Sequence, residues 1–275
     1  RWFHPDRAAR RALLTGVWMH DERLGWAVGH DETILRTRDG GTSWELVYTA
    51  PDAERPLLDV WFADADRGIT VGAYGAMYSS VDGGRSWTAV AFEPEPLGGA
   101  DSAPALDEYE EDVGLGFDFH LNAIVPGPGT TVYLGAEAGR LFRSDDGGGT
   151  WRELPSPYDG SYYGLLPLDG ETLLAFGLRG NVFRSEDGGQ TWSQVETGPP
   201  ALLSSAIRPA PDLVLIAGLA GVMLVSQDGD HWALPGGHPE PGEAPEQALI
   251  REVWEEASAR VERFAYLGAQ RVDDP

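Results

Sequence analysis

Short apolar segments recur along the chain in pairs, and each pair predicts two β-strands joined by a tight turn. Four pairs occupy residues 25–37, 68–80, 131–144 and 172–185, the first with the sequence GWAVGHDETILRT, and a fifth occupies residues 213–226. Short apolar runs bounded by Gly, Asp and Asn are typical of strands, and their regular repetition is typical of all-β proteins. The pattern therefore predicts an all-β chain built from repeated units.

Each pair ends in one motif, Ser/Thr-x-Asp-Gly-Gly-x-Ser/Thr-Trp. It has the sequences TRDGGTSW, SVDGGRSW, SDDGGGTW and SEDGGQTW, and a shorter copy, SQDGDHW, follows the fifth pair. Asp-Gly and Gly-Gly pairs adopt positive φ at low cost and close a hairpin, and the Asp side chain accepts hydrogen bonds from the turn's own amides. We therefore predict a structural role for the motif aspartates, which are Asp39, Asp82, Asp146, Asp187 and Asp228.

The spacing of the motif predicts the architecture. Its tryptophans stand at positions 44, 87, 151, 192 and 232. A period of about 40–45 residues is that of one four-stranded propeller blade, and the one longer interval contains an insertion. We predict a β-propeller of about five recognisable four-stranded blades over residues 1–232.

The motifs resemble the Asp-box (BNR) repeats of sialidases, and residues 24–232 resemble the photosystem II assembly/stability factor-like family of bacterial propellers. The second resemblance rests on segments such as LLDVWFADADRGITVGAYG at residues 57–75. It implies a non-catalytic scaffold that binds or helps assemble a protein partner, with a membrane-protein complex as the expected partner. Propellers of that family are larger, so one or two N-terminal blades are expected to be missing from this sequence.

The charge balance limits the partners. Asp and Glu number 44 against 20 basic residues, all of them Arg, which gives a net charge of −24. Simple electrostatics therefore disfavours nucleic acid and anionic membranes as partners. There is no cysteine for a disulfide or thiolate site. The sequence contains no apolar run of membrane length and no signal peptide, so direct membrane insertion is not expected.

The insertion lies at residues 93–118 and holds nine acidic residues and no basic one. Such a segment cannot bury enough apolar surface to form a core of its own, so it is predicted to be a long surface loop. Two interpretations stay open, a loop that binds a protein partner or a cation, and a solvated excursion. The three tyrosines of SPYDGSYYGLL, at residues 156–166, leave a similar choice between a binding surface and packing between blades.

The C-terminal region carries a second resemblance, to the Nudix hydrolase box, over residues 232–261. Gly237, Glu243 and Arg251 fall at the family's spacing, and the acidic residues Glu252, Glu255 and Glu256 follow in register. Two positions depart from the pattern, because Ser258 and Ala259 stand where the family has Gly and a larger aliphatic residue.

The predicted chemistry follows from a helix over residues 244–259. At spacings of three and four residues, Glu252, Glu255 and Glu256 share one helix face. Clustered carboxylates suit Mg²⁺ or Mn²⁺, and the resemblance adds Gly237 to the metal site and pairs Glu243 with Arg251. The alternative function is therefore a metal-dependent Nudix hydrolase that cleaves a nucleoside diphosphate-linked substrate. The plainer alternative is an amphipathic helix with a solvated acidic face.

The Nudix segment is expected to be incomplete, at residues 233–275, because the strands before the box already belong to the fifth blade. Residues 213–232 would have to serve two folds, which suggests a truncated chain or an artificial junction. Enzymatic activity is therefore left open. Localisation is also open, since the propeller family suggests an exported or periplasmic protein and the Nudix box suggests a cytoplasmic one.

Overall fold

The computed structural model describes residues 13–98, 119–197, 200–211, 213–219 and 222–226, together with Gln247 and Arg251. These residues form five antiparallel sheets, and in each sheet the strands are neighbours in chain order. The prediction of an all-β propeller with five recognisable blades is confirmed. Four blades have four strands, and the fifth has three within the described residues.

The strands follow one another in this order. Blade 1 contains β1 (Leu14–Met19), β2 (Gly25–Gly29), β3 (Thr33–Thr37) and β4 (Glu45–Tyr48). Blade 2 contains β5 (Leu57–Phe62), β6 (Gly68–Gly72), β7 (Met77–Ser80) and β8 (Thr88–Ala89). Blade 3 contains β9 (Leu121–Pro126), β10 (Val132–Ala136), β11 (Leu141–Ser144) and β12 (Arg152–Leu154).

The remaining two blades complete the described chain. Blade 4 contains β13 (Tyr162–Pro167), β14 (Leu173–Gly177), β15 (Val182–Ser185) and β16 (Ser193–Val195). Blade 5 contains β17 (Leu203–Ala210), β18 (Leu213–Gly218) and β19 (Met223–Ser226). The helical residues Gln247 and Arg251 lie within the helix predicted for residues 244–259.

The core lies between blades. The second strands β2, β6, β10 and β14 are buried at every position, and β6, β10 and β14 each lie between two neighbouring blades. Trp26 of blade 1, for example, stacks on Phe62 of blade 2 with ring centroids 3.4 Å apart. Tyr162 is fully buried in the core between blades 3 and 4, and Tyr158 packs against it. Packing between blades therefore accounts for two of the three tyrosines.

Polar side chains on the first strands connect consecutive blades. The Thr15 hydroxyl donates to the Leu57 carbonyl at 2.6 Å, and the Asn122 amide donates to the Tyr162 carbonyl at 2.8 Å. Between them, the Asp59 carboxylate accepts the Ile124 amide at 2.9 Å. Each contact holds two inner strands in register where their sheets have no shared ladder.

The acidic insertion begins as an ordered edge. Glu95 forms a parallel bridge with Arg152, the Glu95 amide donates to the Trp151 carbonyl at 2.8 Å, and the Glu153 amide donates to the Glu95 carbonyl at 2.8 Å. The predicted surface loop therefore starts by pairing with the outer strand of blade 3. Residues 99–118 lie outside the described residues.

Candidate functional site

Each described Asp box has the same pattern of internal hydrogen bonds. In blade 2 the Ser80 hydroxyl donates to Asp82 Oδ1 at 2.9 Å, and the Ser86 amide donates to the same oxygen at 2.9 Å. The Ser86 hydroxyl donates to Asp82 Oδ2 at 2.7 Å, and the Gly84 amide donates to Ser80 Oγ at 2.8 Å. Equivalent bonds surround the carboxylates of the other described boxes, Asp39, Asp146 and Asp187.

These bonds lower the pKa of the box aspartates. The Ser86 amide and hydroxyl hold the pKa of Asp82 at about 2, and the Thr191 hydroxyl and amide hold the pKa of Asp187 at about 2. The carboxylates are charged acceptors whose oxygens are directed into their own turns. Asp228, the fifth predicted box aspartate, lies outside the described residues.

In blades 2, 3 and 4 the second glycine of the box contacts the preceding blade. A Cβ on Gly84 would collide with the Trp26 indole of blade 1, and a Cβ on Gly148 would collide with Ile69 of blade 2. The box thus needs glycine for positive φ and also for close approach. The box therefore closes a hairpin and also packs that hairpin against the preceding blade.

Most of the predicted Nudix residues lie outside the part of the chain that the structure describes. Gly237, Glu243, Glu252, Glu255 and Glu256 lie outside the described residues, and Arg251 is helical and half-buried. Across the part of the chain that the structure describes, no group of three or more His, Asp or Glu side chains is placed to hold a metal ion. The predicted Mg²⁺ or Mn²⁺ site stays a prediction.

The turns that join the second and third strands of each blade, which we call the tip turns, lie beside the connections between blades. The amides of Gly75, Gly139 and Gly180 donate to carbonyls at residues 119, 160 and 201, in the segments that lead into the next blade. In blade 1 the Glu32 amide donates to the Arg55 carbonyl at 2.9 Å in the same way. The tip turns of blades 1 to 4 therefore lie on one face of the propeller.

This geometry places the residue before each donor in the left-handed region, where Gly is cheap and other residues are strained. The residues found there are Asp31, Tyr74, Ala138 and Arg179, with φ between 53° and 59°. Tyr74 is 54% exposed. A large aromatic side chain is thus held in solvent on a strained backbone, which is a feature associated with function.

A pocket of about 170 Å³ lies beside Tyr74, and we call it the tip pocket. Its walls come from Arg55, Tyr74, Met77, Ala89, Phe92 and Glu93, among others. Met77 and Phe92 are buried core residues, so the floor of the tip pocket is apolar and firmly packed. The tip turn of blade 2, the strand β8 and the start of the acidic insertion meet at this position.

A buried ion pair supports one wall. Glu32 is 1% exposed, and its carboxylate lies 2.7 Å from Arg55 Nη2. The Tyr78 hydroxyl donates to Glu32 Oε2 at 2.7 Å, and burial together with this bond raises the pKa of Tyr78. Because the guanidinium is paired with a buried carboxylate, Arg55 brings little net charge to the pocket.

Tyr74 also takes part in an aromatic contact. The Tyr74 ring meets the His120 ring edge-on at 4.9 Å, and His120 Nδ1 lies 3.5 Å from Glu137 Oε1. Tyr74 is therefore positioned from both sides, by its tip turn and by the next connection.

A larger cleft of about 740 Å³ separates residues 90–96 from the Asp box of blade 3. Its most buried cation, Arg143, contacts Asp145 at 2.7 Å and Glu171 at 2.8 Å. Since these carboxylates neutralise Arg143, this cleft does not offer a strong anion site.

The sequence predictions did not single out Tyr74, Arg55 or Glu32. The available clue was the tip sequence GAYGA at residues 72–76, in which Tyr stands between glycine and alanine at a turn. Arg55 and Glu32 come from a connection and from another blade, so only the folded chain brings them together.

Comparison with family models gives two partial matches. Residues 8–108 match the model for photosynthesis system II assembly factor YCF48, and residues 207–275 match the model for the NUDIX domain. The NUDIX match begins within β17, so it overlaps all of β18 and β19. No helix in the described ranges is long and apolar enough to cross a membrane.

Comparison with solved structures shows the propeller fold. The chain is similar to the WD40 β-propeller domain of Doa1, at 11% identity over 83% of this chain and 70% of that one, with a TM-score of 0.56. It is similar to a GH74 xyloglucanase from Xanthomonas campestris, at 20% identity over 76% of this chain and 35% of that one, with a TM-score of 0.53. A structure of YCF48 bound to D1 peptide matches at 21% identity over 81% of this chain and 82% of that one, with a TM-score of 0.49. The chain is thus a β-propeller with partial matches to an assembly-factor family and to the NUDIX domain.

Proposed function

We propose that the propeller is a non-catalytic scaffold that binds a protein partner, and that this partner belongs to a membrane-protein complex. The match of residues 8–108 to an assembly-factor family carries the proposal. Fold likeness alone does not assign a role, because propellers host many functions. A YCF48 structure was solved with a bound D1 peptide, and a peptide segment is the kind of ligand that we propose here.

The tip-turn face supports this role physically. It presents the exposed ring of Tyr74 next to an apolar pocket, on turns that are hydrogen-bonded to the connections between blades. An aromatic anchor on a rigid framework is typical of protein-binding surfaces. The acidic insertion at residues 93–118 starts at the same place and is the second candidate surface.

Affinity purification from detergent-solubilised membranes of the native host tests the proposal. We expect the tagged chain to retain a stoichiometric integral membrane protein, identified by mass spectrometry. A variant with residues 99–118 replaced by a short Gly-Ser linker tests the insertion, and Tyr74→Gly tests the face. Failure of the unmodified chain to retain any membrane protein would contradict the proposed scaffold role.

The NUDIX match supports a second candidate, metal-dependent hydrolysis of a nucleoside diphosphate-linked substrate. We propose Glu252, Glu255 and Glu256 as the ligands for Mg²⁺ or Mn²⁺ if this activity exists. One observation weighs against it, since β17–β19 pair with one another in blade 5 and pack on blade 4. The strands β18 and β19, which the NUDIX match overlaps, are thus already part of the propeller.

Hydrolysis assays with Mg²⁺ distinguish the two candidates. Nucleoside triphosphates, ADP-ribose and diadenosine polyphosphates are incubated with the full chain and with Glu256→Gln. We expect no metal-dependent turnover from either protein. Turnover by the full chain that is lost in Glu256→Gln, with an unchanged circular dichroism spectrum, would make the enzyme the primary function.

A further inference from the structure

We propose that the tip pocket receives one apolar side chain from an extended, arginine- or lysine-rich segment of the partner. This inference rests on the proposed function of the propeller as a protein-binding scaffold and names the chemistry of its ligand. It is carried by three independent features, namely the size of the pocket, the strained Tyr74 and the charge around the rim.

The size of the tip pocket suits a single side chain. Its volume of about 170 Å³ is close to that of a buried cavity of about 150 Å³ that accepts benzene. The apolar floor formed by Ala76, Met77 and Phe92 is at most 6% exposed at each residue. A leucine, methionine or phenylalanine side chain matches this volume and this lining.

The pocket is preformed. Glu32, Arg55 and Tyr78 form a hydrogen-bonded cluster behind one wall, with contacts of 2.7 Å from Glu32 to each of the other two. Tyr74, which also lines the pocket, rests edge-on against the His120 ring. A ligand side chain therefore enters a space that needs no rearrangement, which lowers the entropic cost of binding.

The strain at Tyr74 points to selection for the side chain. The equivalent positions of blades 3 and 4, Ala138 and Arg179, also have positive φ. Glycine would relieve the strain at all three. Among these three positions, Tyr74 presents an exposed aromatic ring beside the tip pocket, where a bound segment can contact it.

The charge around the pocket selects a cationic segment. Glu93 lies on the rim, and among the described residues it has no ion-pair partner. Arg55, the one basic residue among the described residues that line the pocket, is neutralised by Glu32. The chain as a whole carries a net charge of −24. A basic segment is drawn to this surface, and the attraction weakens as salt shortens the screening length to about 10 Å at 0.1 M.

Fluorescence anisotropy with labelled synthetic peptides tests the inference. The probe is Gly-Arg-Arg-Leu-Arg-Arg-Gly with blocked termini, and the two comparison peptides replace Leu by Ala or all Arg by Glu. We expect at least about a 10-fold weaker Kd for the Ala peptide, which corresponds to about 1.4 kcal/mol, and no measurable binding of the Glu peptide.

Three variants locate the binding. Ala89→Phe places a ring in the pocket from an exposed strand position, and Tyr74→Gly removes one wall while relieving strain, so both should weaken binding at least about 10-fold. Arg179→Gly is the matched control, because it makes the same backbone change at the exposed tip of blade 4 and should bind the probe normally. Thermal melts of all three verify that they fold.

Three outcomes overturn the inference. Equal binding of the Arg and Glu peptides would remove the charge selection, and equal binding by Ala89→Phe and the unmodified chain would place the ligand elsewhere. If the probe does not bind while a membrane protein is still retained in the purification above, this inference fails and the scaffold function stands. If neither binds, the proposed function fails as well.

Discussion

The inner strands of the middle blades and those of the end blades have the same kind of sequence but different surroundings. The strands β5, β9 and β13 each lie between two neighbours, whereas β1 and β17 belong to the first and last described blades. Val17 of β1 is 62% exposed and Ile207 of β17 is 56% exposed, while Val60 of β5 and Ile124 of β9 are at most 2% exposed. The local pattern specifies a blade, but the side chains on both faces of its inner strand are buried only where a blade covers each face.

The largest expected loss of stability comes from truncating a side chain that is buried between two of the middle blades. Phe142 is fully buried between blades 2 and 3, with its ring edge-on to Phe92 at 5.0 Å. Phe142→Ala should lower the free energy of unfolding by about 3–5 kcal/mol, because truncation leaves a cavity that the sheets cannot close. Urea denaturation followed by tryptophan fluorescence measures this loss. A cost below about 1 kcal/mol would mean that the junction relaxes.

A smaller effect separates backbone strain from packing between blades. Gly147 and Gly148 both have positive φ, but a Cβ on Gly147 meets nothing within 4 Å, while one on Gly148 collides with Ile69 of blade 2. Gly147→Ala should cost about 1–2 kcal/mol for the left-handed backbone. Gly148→Ala should cost about 1–3 kcal/mol more, from overpacking.

Thermal and urea unfolding of these two variants give the difference directly. Equal costs would show that the second box glycine serves only the turn and that blade 3 does not press on blade 2 at this point.

Stability should depend on pH through Asp59, which connects blades 2 and 3. Burial raises the pKa of Asp59 to about 6, above its usual value near 3.9. The folded state therefore disfavours the charged form, so the contribution of Asp59 to stability is greatest below pH 4 and is lost as pH rises through about 6. Melting temperatures of the unmodified chain and of Asp59→Asn, compared from pH 4 to pH 7, should diverge progressively. A constant difference across this range would contradict the raised pKa.

The contribution of the box aspartates to stability changes with pH in the opposite direction. Their lowered pKa values, at about 2 for Asp82 and Asp187, mean that their contribution is present above pH 4 and is lost as pH falls toward 2. Asp187→Asn should therefore lower the melting temperature at pH 7 and have a smaller effect near pH 2. This response differs from that of Asp59→Asn and serves as its control.

The smallest effect is expected at the exposed ends. Ile207→Thr should change the free energy of unfolding by less than about 0.5 kcal/mol, because the side chain is mostly in solvent in the folded state. Urea denaturation in parallel with Phe142→Ala makes the comparison. A loss above about 1 kcal/mol would show that Ile207 is covered in solution.

Much of the fold could be predicted from the sequence because its determinants are local. The apolar pairs predict β2–β3 and their counterparts, and the Asp box predicts a hairpin that depends on only eight successive residues, such as residues 80–87. The close contact between Gly148 and Ile69 could not be predicted, since these residues belong to different blades. Exposure of Val17 was equally inaccessible, because it depends on what lies next to the blade.

The site was predicted poorly for the same reason. The tip pocket combines Arg55 from a connection, Tyr74 from a turn and Glu32 from another blade, and none of these has a motif that connects it to the others. Pairing of Glu95 with blade 3 was also not foreseen, because its partners are backbone atoms and no side-chain pattern marks them. The Nudix carboxylates Glu252, Glu255 and Glu256 stay a prediction from spacing alone.

The clamped ends of the acidic insertion make residues 99–118 a permissive position for protein engineering. Glu95 is hydrogen-bonded to blade 3 on one side, and the Phe119 carbonyl accepts the Gly75 amide at 3.0 Å on the other. A longer chain can therefore join these two points. Each doubling of that length costs only about 0.6 kcal/mol of loop entropy, so a fluorescent or enzymatic cargo could be carried there at the rim of the tip pocket.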